Sequence, residues 1–566
     1  MKKIGWMIGM TMLICGCNTA PKDPASASAA EIDRNAAQKA AAIISAEGIR
    51  NSVLFLADDA LEGRGTGTEG EKKAAHWLAD QFKSAGLKPL GEDFFQKVDL
   101  VGYRKTIEGA SLRLKTQTGE LAYQNVRDLT YWSTAQKAHI RLENAPLLFV
   151  GYGVEAPEYD WDDFKGVDCS GKILVFLNND PQLDDPSLFG GEARTYYGRY
   201  TYKFEQAVRK GAAGAVMIHT TPSAGYGWMV VNSSGLRESF ALNLPDTGYQ
   251  LDVLAWIHEN YANQLAATAG ATLDDWFEAA NRRDFTPVPL PITLDADFHV
   301  ELRYTQSQNV VALWEGSDPV LKNEIIAFTA HYDHLGKMEA GEGDLIYNGA
   351  WDNGLGTASI VEIAKAFGQS GYRPKRSLVF IACAGEEKGL LGSQWFVAKP
   401  PVPLNRFVAD INIDMPQPFG LTRDMVAIGH RSSSLGDTLA TVAAGFTTPT
   451  ADGGELPVAV KGDMNPNAGS FYRSDQVSFA KAGIPALFLL PGVDYVETPK
   501  TDPEAYRSSH YHQPGDEVND VWDLTGCVRD MKIALLLAAE IGSAQEKPRW
   551  NAGNEFEQAW QRLHGQ

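Results

Sequence analysis

The chain has 566 residues, 44% hydrophobic and 22% charged, which is globular composition and length enough for two or three cores. Its formal charge is −20, from 51 Lys and Arg against 71 Asp and Glu, and no basic run stands out, which argues against nucleic acid as a partner. Cys169, Cys383 and Cys527 lie far apart and form no Cys-x-x-Cys site. Cys383, inside an apolar run, reads as a buried small hydrophobe.

The start is basic, Met1-Lys2-Lys3, and Ile4–Ile14 is apolar but too short for a permanent membrane-spanning helix. Ile14-Cys15-Gly16-Cys17 resembles a bacterial lipobox, which implies cleavage before Cys17 and lipid on its thiol. An ordinary signal peptide cut near Ala20 is the weaker alternative. Asn18–Ala30, rich in Ala, Ser, Pro and charge, reads as a tether. The expectation is a lipid-anchored protein of the bacterial cell envelope, periplasmic or outer-membrane associated, with the membrane as partner through its anchor.

Ala36–Leu56 is Ala-rich and predicts a helix. Leu61–Thr68 is a Gly-rich loop without the Gly-Lys-Ser/Thr ending of a phosphate loop. Thr68 opens the next helix with capping-box spacing to Glu71, and Gly86 closes it. From about Ala145 the texture changes: strands at Leu147–Val150, Ile173–Leu177 and Ala215–Ile218, a helix at Tyr202–Lys210, and loops full of Trp, Tyr and Gly predict a separate α/β module. Its histidines, His219 and His258, are isolated and predict no chemistry. Pro287–Pro291 reads as the exit linker.

Ile325–Thr329, Leu378–Cys383, Phe407–Asp414 and Ala486–Leu490 are apolar runs of the buried parallel kind, and Gly354–Gly368, Ser434–Ala444 and Cys527–Ile541 predict helices. Arg549–Gln566 is a polar tail without assignment. In an open α/β sheet ligands gather at the carboxyl ends of strands, where His331, Asp333, Asp352, Glu386, Glu387 and Asp414 fall. Imidazoles and carboxylates without thiolate make a donor set for zinc or a similar ion, other than a closed structural site. Singly, Glu386-Glu387 would read as a solvated pair at a helix start, and His331 as an ordinary histidine.

Together, His331-Tyr332-Asp333, Gly349-Ala350-Trp351-Asp352-Asn353, Glu386-Glu387 before Gly389-Leu390-Leu391-Gly392-Ser393, Asn412-Ile413-Asp414-Met415 and Tyr511-His512-Gln513-Pro514-Gly515-Asp516 resemble the pattern of metallopeptidase family 28. The resemblance implies an α/β fold, a mixed, mostly parallel sheet flanked by helices, with an inserted small protease-associated domain. The implied organisation is residues 1–17 signal, 18–35 tether, 36–144 and 297–545 peptidase domain, 145–296 insertion and 546–566 tail. It implies two Zn2+ per chain: His331 and Asp414 on one ion, Glu387 and His512 on the other, Asp352 on both. Glu386 would be the general base, Asp333 the carboxylate that fixes the His331 imidazole, and Asp352-Asn353 a cis peptide. His510 competes with His512, Trp351 is a candidate cleft residue, and Asp475 a supporting one. The implied activity is an aminopeptidase on peptide substrates. A carboxypeptidase, dipeptidase or glutaminyl cyclase is the alternative, and a non-catalytic receptor a more remote one. Oligomeric state is not legible.

Overall fold

The computed structural model describes residues 24–565 except 182, 184, 186–187, 192, 233–237, 245–249, 340 and 451. Cys17 and the signal-like start lie outside the described residues. The described chain opens with helices α1 (Pro24–Ala41) and α2 (Ala46–Leu56), where the composition predicts a tether to residue 35 and one helix over Ala36–Leu56. Alanine, the strongest helix former, carries α1 back into the tether, whereas Ser45 restarts the helix by accepting the Gly48 N–H at 3.1 Å. Helix α3 (Glu69–Ser84) is capped by the Thr68 hydroxyl as predicted. The buried Glu71 carboxylate does not complete the capping box. It accepts from Gly67 N–H at 2.6 Å and the Ser307 hydroxyl at 2.7 Å, which ties the helix to the sheet.

Strand β1 (Phe95–Lys105) precedes β2 (Ser111–Thr116), β3 (Leu129–Trp132), β4 (His139–Phe149), β5 (Ile173–Leu177), helix α4 (Tyr200–Arg209), β6 (Gly214–His219) and β7 (Val253–His258). The 27-residue strand β8 (Val288–Trp314) then runs through both sheets. Its first part pairs antiparallel with β2 and β4, and its second with β1. β4, β5, β6 and β7 are parallel neighbours, and β3 adds antiparallel to β7. Leu112, Leu114, Leu129, Tyr131 and Ile140 share the module's core with Val175, Ile218 and Ile257. β2, β3 and β4 before Ala145 thus share a core with the later strands, and β8 leaves that core mid-strand near Val300. Pro289 and Pro291 lie inside β8, so the expected exit linker is strand.

In the second sheet β8 pairs antiparallel with β10 (Ser377–Cys383), and β9 (Ile325–His331) lies parallel between β10 and β11 (Phe407–Ile413). Beyond them β13 (Ala486–Leu490) is parallel to β11, and β12 (Asp424–Ile428) closes antiparallel. The centre is the parallel block that the apolar runs predict. Alternate residues feed two cores: Phe328 and Phe380 pack with Leu78, Phe82, Ile360 and Phe367, whereas Ala327, Val379 and Ile381 pack with Phe396, Phe407 and Phe479. Helices thus cover both faces.

The tail is structural. Trp550, Phe556 and Trp560 pack on Tyr472, Val477, Ala480 and Ala486, and Trp550 Nε1 donates to Gly483 O at 3.0 Å. Among the described residues no helix is long and apolar enough to cross a membrane, and Cys169, Cys383 and Cys527 are free and buried.

Candidate metal centre

His331 ends β9, Glu386-Glu387 follow β10 by a short turn and Asp414 follows β11, so the carboxyl edge of the parallel block delivers four of the predicted groups. Asp352 comes from the loop before the helix Gly356–Ser370, across a cis Asp352-Asn353 peptide, and His512 from the turn after the helix Pro503–His510. His331 Nε2 lies 3.3 Å from Asp352 Oδ1, 3.3 Å from Asp414 Oδ1 and 4.0 Å from Glu386 Oε2. His512 Nε2 lies 3.1 Å from Asp352 Oδ2 and 3.3 Å from Glu387 Oε2. Asp352 therefore presents one oxygen to each imidazole. The adjacent glutamates diverge, Glu386 towards His331 and Glu387 towards His512.

The surrounding side chains position this cluster. Asp333 Oδ1 accepts the Glu386 N–H at 3.0 Å and lies 3.7 Å from His331 Nδ1, while its Oδ2 accepts the Thr66 hydroxyl at 3.0 Å. Thr357 Oγ1 donates to His331 O at 2.6 Å. Asn353 accepts from Gly356 and Met415 N–H at 3.0 Å each and donates to Ile413 O at 3.0 Å, clamping the Asp352 loop to the end of β11. Asp475 is fully buried within the field of His331 and Glu386. Trp351 is 5% exposed, packs on Phe419 and Tyr506, and donates Nε1 to Pro416 O at 3.0 Å. It is core rather than a cleft residue. The His510 ring stacks on Tyr506 at 3.8 Å, away from the carboxylates.

Three groups escaped sequence reasoning. Arg64 is fully buried and donates to the carbonyls of Tyr332 (2.7 Å), Asn348 (2.6 Å), Gly349 (2.9 Å) and Leu56. Burial pulls its pKa down to about 10 against the pull of Asp333, Asp516, Asp352 and Glu387. Asp516 accepts the backbone N–H of Trp351 at 2.9 Å and of Asp352 at 3.0 Å. His334, in the predicted Ala330–Gly336 block but given no role, is fully buried with Nδ1 2.8 Å from Glu387 Oε1. Arg64 and Asp516 reach backbone groups far off in sequence, which no local pattern encodes. His334 differed from His331 only in lacking a place in the motif.

Burial opposes ionisation throughout the cluster, and the imidazole–carboxylate pairs override it. Against burial, the His331 and His512 hydrogen bonds hold Asp352 well below the usual carboxylate range. Against burial and Asp352, His334 and His512 hold Glu387 down at about 2. Against burial, Glu386 and Asp414 raise His331, and Asp352 and Glu387 raise His512 to about 10. Glu386 goes the other way: burial first, then Glu387, Asp414 and Asp475, push it well above its ordinary value against the pull of His331. Asp414 Oδ1 and Glu387 Oε1 are buried with an imidazole nitrogen 3.3 and 2.8 Å away, yet neither receives a hydrogen bond of good angle. Orphaned oxygens in a His/Asp/Glu set without thiolate fit zinc, and the groups His331–Asp352–Asp414 and His334–Asp352–Glu387 each converge closely enough to hold an ion.

Fold and site define the class: an α/β protein with a candidate metal centre at the carboxyl edge of its sheet. Residues 309–536 match the model of Peptidase family M28, and this supports that family for the chain. Leupeptin-inactivating enzyme 1 of Streptomyces exfoliatus is 29% identical over 191 residues, 34% of this chain and 37% of that protein. Probable leucine aminopeptidase 2 of Aspergillus oryzae is 29% identical over 174 residues, 28% of this chain and 32% of that one. The chain thus spans about a third of the length of these curated relatives. The solved aminopeptidase from Aneurinibacillus sp. strain AM-1 shares the fold, with a TM-score of 0.50, 20% identity and coverage of 90% of this chain and 97% of that one.

Asp516 holds the backbone of Asp352 without reaching the centre itself. Asp516→Asn keeps one acceptor but turns an amide NH2 towards the other N–H. Zinc affinity, read by chelator competition, is expected to fall about 10–100-fold with the fold retained. Unchanged affinity would remove Asp516 from the support of the centre.

Proposed function

We propose that this chain is a zinc-dependent aminopeptidase that removes N-terminal residues from peptides, with two zinc ions per chain. The division of the site at Asp352, one oxygen towards His331 and one towards His512, carries the reading. His331 and Asp414 would hold one ion, Glu387 and His512 the other, and Asp352 both. Zinc there supplies a Lewis acid and lowers the pKa of water towards neutrality. Glu386 is the general base: its carboxylate takes a proton from the attacking water and passes it to the leaving amine. Asp333 holds Glu386 through the backbone N–H and His331 through its imidazole. The surplus of carboxylates attracts a substrate ammonium and repels a carboxylate beside it, which favours the amino end. The name of one curated relative, probable leucine aminopeptidase 2, agrees.

The inserted module is read as a protease-associated domain that shapes access and carries no chemistry. Its His219 is buried among Tyr226, Trp228 and Trp256, and its His258 caps a helix. Cys17 is read as the lipidated N-terminus of the mature protein, on the lipobox resemblance alone.

A leucyl anilide and its N-acetylated form test the direction of action. The free amine is expected to be hydrolysed and the blocked one not, and equal rates would end the aminopeptidase reading. The glutamates are separable. Glu386→Gln is expected to keep zinc content and melting temperature while kcat drops about 10²–10⁴-fold. Glu387→Ala is expected to lose zinc and thermal stability together. An active Glu386→Gln enzyme, or the opposite pattern of metal loss, contradicts the roles. Palmitate labelling should mark the wild type and not Cys17→Ser, and equal labelling refutes the anchor.

A further inference from the structure

His334 is the imidazole of the cluster that the motif resemblance leaves without a role. Its side chain is 0% exposed, and Nδ1 lies 2.8 Å from Glu387 Oε1. The two atoms stand beside each other rather than in line, so no hydrogen bond of good angle joins them, and Nε2 has no partner among the described residues. Leaving both nitrogens of a buried imidazole unsatisfied costs free energy that a bound group would offset. The fold also builds a seat for this ring. The His334 N–H donates to Arg64 O at 3.1 Å, which fixes its backbone against the loop of the buried arginine. Gly349, with φ 57°, lies against the ring: a Cβ there would come 2.5 Å from His334 Cγ and 2.6 Å from Cδ2. Only glycine leaves the imidazole its place.

The His512 ring stands 5.8 Å from the His334 ring at 63°. Glu387 serves both, with Oε1 towards His334 and Oε2, at 3.3 Å, towards His512. In a tetrahedron with bonds of about 2.0–2.1 Å, zinc sets neighbouring donors roughly 3.3 Å apart. The contacts of His331 with Asp352 and Asp414, and of His512 with Asp352 and Glu387, have that spacing, 3.1–3.3 Å. His334 joins the set, because one donor atom each of His334, Asp352 and Glu387 lies within 4.8 Å of the others. We propose that His334 is a ligand of the ion beside Glu387 and His512, so that this ion has two imidazoles and the ion beside His331 has one. This rests on the zinc reading of the centre. The enclosed imidazole then holds the ion on the side where the 36% exposed His512 is its only other nitrogen donor.

X-ray absorption of the full chain, reconstituted with two equivalents of zinc, counts the imidazoles at the metal by their multiple scattering. Three imidazoles over two ions, about 1.5 per zinc, are expected, and one per zinc overturns the proposal. His334→Gln is expected to lower the count to one per zinc. It should also weaken the binding of one ion more than about 100-fold in chelator competition, beyond the roughly 10–100-fold that loss of a supporting hydrogen bond costs. A smaller loss with the count unchanged makes His334 a support of Glu387 and refutes it as a ligand. Should the variant not fold, the wild-type count decides alone. A wild type that binds no zinc fails the zinc reading of the centre itself, whereas bound zinc with one imidazole per ion fails only the assignment of His334.

Discussion

Asp333, Asp352, Glu386, Glu387 and Asp414 crowd round the imidazoles of His331, His334 and His512, each of these carboxylates no more than 12% exposed in its side chain. Buried carboxylates at this density are tolerable only with compensating charge and hydrogen-bond donors. The protein supplies both from several directions: the imidazoles, the buried Arg64 guanidinium, and the Glu386 N–H directed at Asp333. Asp516 adds to the acid load, yet two backbone N–H groups satisfy it, and so it fixes the Asp352 loop. The two apolar cores make this arrangement possible. They fix which residues of β9, β10 and β11 face each side, and a slip of one residue would turn those side chains to the opposite face.

The parallel strands and the helix between the first two were legible because a strand buried on both faces must be apolar throughout, and Ile325–Thr329 and Leu378–Cys383 are. The motif residues were legible because catalytic chemistry restricts residue type at fixed spacing. Their supports were not: Arg64 meets the Tyr332 carbonyl across 268 residues of chain, and any arginine in a Gly-rich loop looks the same from sequence. The membership of β2 and β4 in that core was hidden because their pairing with β8 comes more than a hundred residues later. Prolines at 289 and 291 look like linker, although a strand tolerates proline where no ladder N–H is needed. The tail looked polar because its three anchoring aromatics are separated by Asn, Gly and Glu.

That tail and the module meet at one seam. The Glu555 carboxylate accepts the Tyr196 N–H from the module at 3.2 Å and the Tyr472 hydroxyl from the peptidase domain, and burial pushes its pKa up to about 7. Lys481 bonds both Tyr196 and Glu205 of the module. Arg194 and Asn179 dock on residues 466–467, a few residues before Asp475. Module, tail and the segment behind His331 are therefore mechanically continuous, and β8 joins the two sheets by a second route. The segment Ser239–Leu242 pairs antiparallel with β1 as well, so module and second sheet are joined by several independent routes.

The two halves of the centre differ in how they are held. His331, Glu386 and Asp414 stand at the edge of a sheet packed on both faces, and the His331 side chain is 1% exposed. His512 comes from a short turn with a left-handed backbone (φ 57°), and its side chain is 36% exposed. Such a conformation persists only where neighbours impose it. Here the Gln513 N–H bonded to His510 O, the Asp516 N–H bonded to Gln513 O and the Tyr511 ring stacked on His512 do so. The His331 half is thus the rigid, enclosed wall and the His512 half the side open to solvent. Charge attracts most strongly where solvent screens it least, so the carboxylates of the enclosed His331 half act with more leverage than those beside His512.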